Sequence, residues 1–194
     1  YHHNLLAHHD SCNPRFKGAR THGTADELVD MRNNVIYNWR GNSTYGGEPT
    51  DTGVPARHNI INNTYKNGPA TSTTSTVRYR ILEPTANSAS TGALYSLFHI
   101  SGNWTTASST VTTNNWNGGV QVISSSLYSS IRSDTAFTVP PVITQTAQLS
   151  YPLVLDYAGC RLPVRDVIDT RIAGEVATGT ATYRGSKGNT PGII

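Results

Sequence analysis

The chain has 194 residues, of which 36% are hydrophobic and 14% charged, and it carries a net charge of +3 at pH 7. Aliphatic and aromatic residues recur throughout, which excludes a disordered chain. No apolar run approaches the roughly 20 residues needed to cross a bilayer, and no basic run resembles a nucleic-acid-binding arm. A mild positive balance suits a polyanionic partner such as an acidic polysaccharide, although on a chain of this size it is also ordinary.

From the start of the chain, one short phrase returns four times. It reads His3-Asn4-Leu5-Leu6-Ala7-His8, then Asn33-Asn34-Val35-Ile36-Tyr37-Asn38, His58-Asn59-Ile60-Ile61-Asn62-Asn63 and Phe98-His99-Ile100-Ser101-Gly102-Asn103. The segments between copies are unequal, rich in Gly, Pro, Ser and Thr, and lack helical periodicity. Short strands with a fixed internal pattern and variable excursions predict solenoid rungs. Stacked in register, Leu5, Val35, Ile60 and Ile100 form one internal column. Asn38, Asn63 and Asn103 fall at equivalent turns, where their amides can form a ladder.

The later chain changes character. Residues 124–133 are Ser-rich and read as irregular, and Val139-Pro140-Pro141-Val142 reads as an extended connector. Leu153 to Tyr157 suits a short helix stopped by Gly159. Val164, Val167, Ile168, Ile172 and Val176 recur at helical spacing before Gly179 and predict an amphipathic helix. The expected organisation is β-helix rungs over 1–120 and a C-terminal segment with one or two helices over 121–194. Both ends of the chain read as cut from something longer.

The two cysteines, Cys12 and Cys160, are too few for a disulfide framework or a zinc site. One disulfide between them and two free thiols remain equal alternatives. His2, His3, His8 and His9 read as hydrogen-bonded strand histidines rather than metal ligands. Tyr37, Trp39, Tyr45, Tyr65 and Trp104 are candidates for stacking on sugar rings or for capping the core.

The segment His2-His3-Asn4-Leu5-Leu6-Ala7-His8-His9-Asp10-Ser11-Cys12-Asn13-Pro14-Arg15-Phe16 resembles the part of the pectate lyases of polysaccharide lyase family 1 that runs His-Asn-x-x, then Arg-x-Pro-Arg. Met31 to Trp39, Ile61 to Ala70, Asn115 to Val120 and Ala158 to Asp166 resemble later parts of the same family, in the same order. The resemblance implies an all-β fold, a right-handed parallel β-helix with a short helical C-terminal segment packed on it. It implies a secreted enzyme that cleaves polygalacturonate by Ca²⁺-assisted β-elimination, with an acidic polysaccharide as its partner and neither nucleic acid nor membrane.

In that family the base is the first residue of Arg-x-Pro, and here that position is Cys12. A thiol carries no positive charge, so the resemblance implies impaired cleavage; the alternative is a non-catalytic polyuronate-binding or structural protein. Cys12 has three readings: half of a disulfide with Cys160, an inert substitution, or a thiolate base helped by Lys17. Lys17 matches the second family cation, and Arg15 and Arg20 lie close enough in sequence to join it in binding substrate. The Ca²⁺ ligands are expected upstream of Tyr1, so no metal ligand is assigned within the chain.

Overall fold

The computed structural model describes residues 1–17, 27–185 and 190–193. Among the described residues, ten short strands form three parallel sheets. One sheet stacks β1 (Leu5–Ala7), β4 (Val35–Tyr37), β7 (Thr64–Lys66) and β10 (Trp104–Thr105). A second stacks β2 (Arg15–Phe16), β5 (Tyr45–Gly46) and β8 (Glu83–Pro84). A third stacks β3 (Leu28–Arg32), β6 (Arg57–Ile61) and β9 (Leu97–Ser101). Parallel neighbours cannot be joined by a tight hairpin, so the chain visits the three sheets in turn and returns to each through a long excursion.

The expectation of an all-β, right-handed parallel β-helix is overturned. Among the described residues, α1 (Ser109–Thr113), α2 (Tyr128–Ile131), α3 (Ala147–Tyr157) and α4 (Val167–Thr178) stand beside the three sheets. The class is mixed α/β, and the sheets do not close into a β-helix. The physical reason lies in the strands, which are two to five residues long and separated by irregular chain. The outer face of the first sheet is covered by helix instead of by further strand.

The corners between the third and first sheets are built by a two-residue device. The first residue adopts left-handed backbone: His3 at φ 55°, Asn33 at 54°, Asn62 at 52° and Gly102 at 67°. Asn and Gly are the residues that tolerate this region best. The second residue is Asn4, Asn34, Asn63 or Asn103, and these four form the amide ladder. Asn34 donates its backbone N–H and its Nδ2 to Asn63 Oδ1, both at 2.9 Å. Asn63 treats Asn103 Oδ1 in the same way, again at 2.9 Å. Asn4 begins the series on Asn34, and Asn103 ends it on Asn115 at 2.9 and 3.0 Å. The ladder therefore includes the expected Asn63 and Asn103. Asn38 stands outside it, bonded to His8 and to the Pro191 carbonyl.

The single aliphatic column is corrected as well. Leu5 is in register with Val35, and Val35 with Thr64, in the first sheet. Ile60 is in register with Met31 and Ile100 in the third. The column is thus two columns in two sheets.

Two clusters hold the fold. Between the sheets, Phe16, Met31, Ile36, Trp39, Ile60, Tyr65, Phe98 and Ile100 pack together. Each such side chain contributes roughly 1.5–3 kcal/mol by leaving water. Strand alternation sends Val35 and Tyr37, on either side of Ile36, to the opposite face. There they pack with Val154 and Leu155 of α3 and Val176 of α4. The sequence pattern for α4 is realised from Val167, with Asp166 accepting the Ile168 N–H at its start and Gly179 in left-handed backbone at its end. Its N-terminal apolar residues Val167 and Ile168, and Val164 before it, stay exposed. The helix expected at Leu153 begins earlier, at Ala147, where Thr146 caps it. The Ser-rich stretch is not wholly irregular, since α2 lies within it.

Candidate functional site

The segment that carries the family resemblance sits at the edge of the second sheet. Asn13 is fully buried; its N–H donates to the Ser43 carbonyl at 3.1 Å and its Nδ2 to the Asn42 carbonyl at 3.0 Å. Thr44 Oγ1 donates back to the Asn13 carbonyl at 2.8 Å. These bonds clamp the Cys12–Pro14 turn onto the Asn42–Thr44 segment that leads into β5. β2 then pairs with β5, placing Arg15 beside Tyr45 and Phe16 beside Gly46. Gly46 is required there, because a Cβ would fall 2.0 Å from the Phe16 carbonyl oxygen.

Cys12 is exposed, and its Sγ lies 3.1 Å from the Tyr45 hydroxyl. The thiol contact, followed by weaker effects, holds the Tyr45 phenol above its ordinary pKa. Tyr45 is therefore a protonated phenol at neutral pH and can donate a hydrogen bond. The Arg15 guanidinium lies 5.5 Å from the centre of the Tyr45 ring, and its Nη2 donates to Glu48 Oε1 at 2.5 Å. Glu48 is 3% exposed. That buried carboxylate fixes Arg15 beside the ring and takes up part of its binding capacity. Lys17 is exposed at the end of the same segment. Cys12, Arg15 and Lys17 thus lie on or beside the edge strand β2, with Tyr45 next to them on the central strand β5, while Arg20 lies outside the described residues.

Cys160 is exposed, and Cys12 and Cys160 are both free thiols. The structure does not join them; Cys160 instead donates its backbone N–H to Asp169 Oδ2 at 2.6 Å.

The carboxylates near this edge are engaged with arginine. Asp10 accepts from Arg40 Nε at 2.6 Å, Glu48 from Arg15, and Glu83 from Arg80. Among the described residues no three His, Cys, Asp or Glu side chains converge as a metal site. The residues present here do not fit Ca²⁺, which needs several converging oxygens without competing cations. The N-terminal histidines are hydrogen-bonded: His2 Nδ1 to His3 Nδ1 at 3.1 Å and His3 Nε2 to Gln145 Oε1 at 2.8 Å. Of the aromatic candidates, Tyr37, Trp39 and Tyr65 are fully buried core residues. Trp104 packs edge-on against Tyr151, which leaves Tyr45 as the aromatic at this edge.

Glu48 is the site residue that sequence reasoning missed. The signal was its place just past β5, within reach of the long Arg15 side chain once β2 and β5 pair. No profile of a known protein family matches the chain, and no curated protein matches it.

Proposed function

We propose that this chain engages polygalacturonate-like acidic polysaccharide as a segment of a secreted polysaccharide lyase, with cleavage weakened by Cys12. The observation that carries the reading is the placement of Cys12, Arg15 and Lys17 on and beside the edge strand β2, in and just after the segment that resembles pectate lyases, with Tyr45 next to Arg15 and Cys12 on the adjoining strand β5. Arg and Lys bind successive uronate carboxylates, the former by its fork and the latter as a point charge. The Tyr45 ring offers a face to a sugar, and its hydroxyl a proton to a glycosidic or hydroxyl oxygen.

β-Elimination at a uronate needs a base for the proton next to the carboxylate, and a donor for the leaving oxygen. The electron pair left on carbon forms the new double bond as the glycosidic bond breaks. Tyr45 suits the donor role. The base position holds a thiol in place of a guanidinium, and Arg15 is turned onto Glu48. No step is assigned to Ca²⁺ on these residues.

That thiol favours a second reading, a polyuronate-binding protein that does not cleave. The two separate in one experiment on the protein incubated with polygalacturonate. Slow growth of unsaturated-uronate absorbance, rising in Cys12→Arg, supports the lyase. Salt-sensitive binding with no absorbance in either form supports binding alone, and neither binding nor absorbance overturns both.

A further inference from the structure

His8 follows β1 and is 5% exposed, wedged between the first sheet and α4. Its Nδ1 is hydrogen-bonded and its Nε2 faces a carboxylate at ion-pair distance. Nδ1 lies 2.9 Å from Asn38 Nδ2, and Nε2 lies 2.7 Å from Glu175 Oε2. The Asn38 amide cannot turn over freely. Its Oδ1 accepts the Ala70 N–H at 2.7 Å, and its Nδ2 also donates to the Pro191 carbonyl at 3.0 Å. Asn38 therefore presents N–H to His8, so Nδ1 must be the acceptor and the single ring proton sits on Nε2, facing Glu175.

A second proton has only Nδ1 to occupy, and there it meets the Asn38 donor. Relief requires the imidazole to withdraw or the amide to turn, and turning breaks the bonds to Ala70 and Pro191 together. The groups facing His8 do not compensate. Glu175 attracts the cation, but its Oε1 already accepts from Arg171 Nη1 at 2.7 Å and from the Thr182 N–H at 2.9 Å. Arg171 and His9 repel it. Tyr37 supplies a ring edge-on at 5.3 Å, and Tyr183 and Arg184 line the adjoining cavity of about 260 Å³. Burial, the largest influence, sets the His8 pKa below its ordinary 6.5.

What His8 abuts is the segment that follows α4. Tyr37 Oη donates to the Thr180 carbonyl at 2.7 Å, and Gly192 comes so close that a Cβ there would fall 2.3 Å from His8 Nδ1. We infer that His8 is an acid-release latch: its protonation frees the last turn of α4 and residues 180–185 and 190–193 from the first sheet.

The sign follows from linkage. The detached form, with its histidine exposed, takes up a proton below about 6.5, whereas the docked form resists it. Docking is complete above that pH and is lost as pH falls below it.

Hydrogen exchange followed by mass spectrometry tests this on the whole protein at about pH 7.5 and about pH 5, corrected for intrinsic rates. The expected result is a several-fold loss of protection over 171–185 at the lower pH, with β3, β6 and β9 still protected. His8→Gln, which keeps a donor toward Glu175 and cannot titrate, should remove that dependence. Gly192→Ala should open the same segment at both pH values. Unchanged protection over 171–185 in the natural protein overturns the latch, and so does an equal loss in His8→Gln. Should His8→Gln fail to fold, an NMR titration of His8 in the natural protein decides, since an inflection at or above 6.5 is incompatible with the latch.

Discussion

The Cys12 Sγ lies 3.1 Å from the Tyr45 hydroxyl, and this contact joins the turn before β2 to the adjoining strand β5. Its chief electrostatic result is a phenol whose ionisation is disfavoured. Cys12→Ala should therefore move the Tyr45 titration to lower pH, read from the ring-carbon shift in NMR. A titration left in place, or moved upward, would show that the thiol does not govern the phenol.

The amide ladder makes an energetic prediction. Asn63 is fully buried and accepts two hydrogen bonds from Asn34 while donating to the Met31 carbonyl and to Asn103. Asn63→Ala leaves several buried polar groups without partners, at roughly 1–3 kcal/mol each before relaxation. Urea unfolding should show a loss of about 3 kcal/mol or more. Asn4→Ala, at the exposed end of the series, should cost under about 1 kcal/mol. Equal losses at the two positions would mean that the ladder does not stabilise the corners as described.

His58 predicts a global acid sensitivity distinct from the local one at His8. It is 0% exposed, and its ring lies 5.0 Å from Phe16 and 4.8 Å from Phe98. Burial pushes its pKa down to about 4, from 6.5. The unfolded chain protonates His58 below about 6.5, the folded chain only near about 4. Stability is therefore complete above the first value and falls across that window, by an amount on the order of 3 kcal/mol. Denaturant midpoints measured across this range should fall with pH, and His58→Phe should flatten the slope. An unaltered slope in the variant would place the sensitivity elsewhere.

Parts of this architecture were legible from the chain. Ile172, Val176 and Gly179 mark α4 because a one-sided apolar stripe and a left-handed stop are local properties. The repeated phrase correctly paired Leu5 with Val35, and Ile60 with Ile100. It wrongly merged the two pairs because His3-Asn4-Leu5 and His58-Asn59-Ile60 read alike while lying in different sheets. Both sheets carry aliphatic residues just after an Asn, so the phrase alone does not reveal which turn follows it. The true phase is set by the left-handed residue before each ladder Asn, and backbone dihedrals are not written in hydrophobic pattern. At the candidate site, Cys12, Arg15 and Lys17 were placed by the resemblance. Glu48 was invisible to it because its pairing with Arg15 depends on strand register across some thirty residues.

The Arg15–Glu48 pair sets the charge available at the edge. Glu48→Gln keeps the shape and weakens the hold on Arg15, freeing its fork for a uronate carboxylate. Polygalacturonate affinity, measured by calorimetry, should rise by about threefold to tenfold. Weaker binding in this variant would mean that Glu48 positions Arg15 for the ligand instead of competing for it.

The proposed recognition of acidic polysaccharide beside β2 is tested most directly by calorimetric binding of polygalacturonate, compared with neutral galactan. It predicts binding to the acidic polymer alone, weakened by salt and reduced about tenfold in the Arg15→Ala, Lys17→Ala double variant. Equal binding to both polymers, or an affinity unchanged in the double variant, would contradict it.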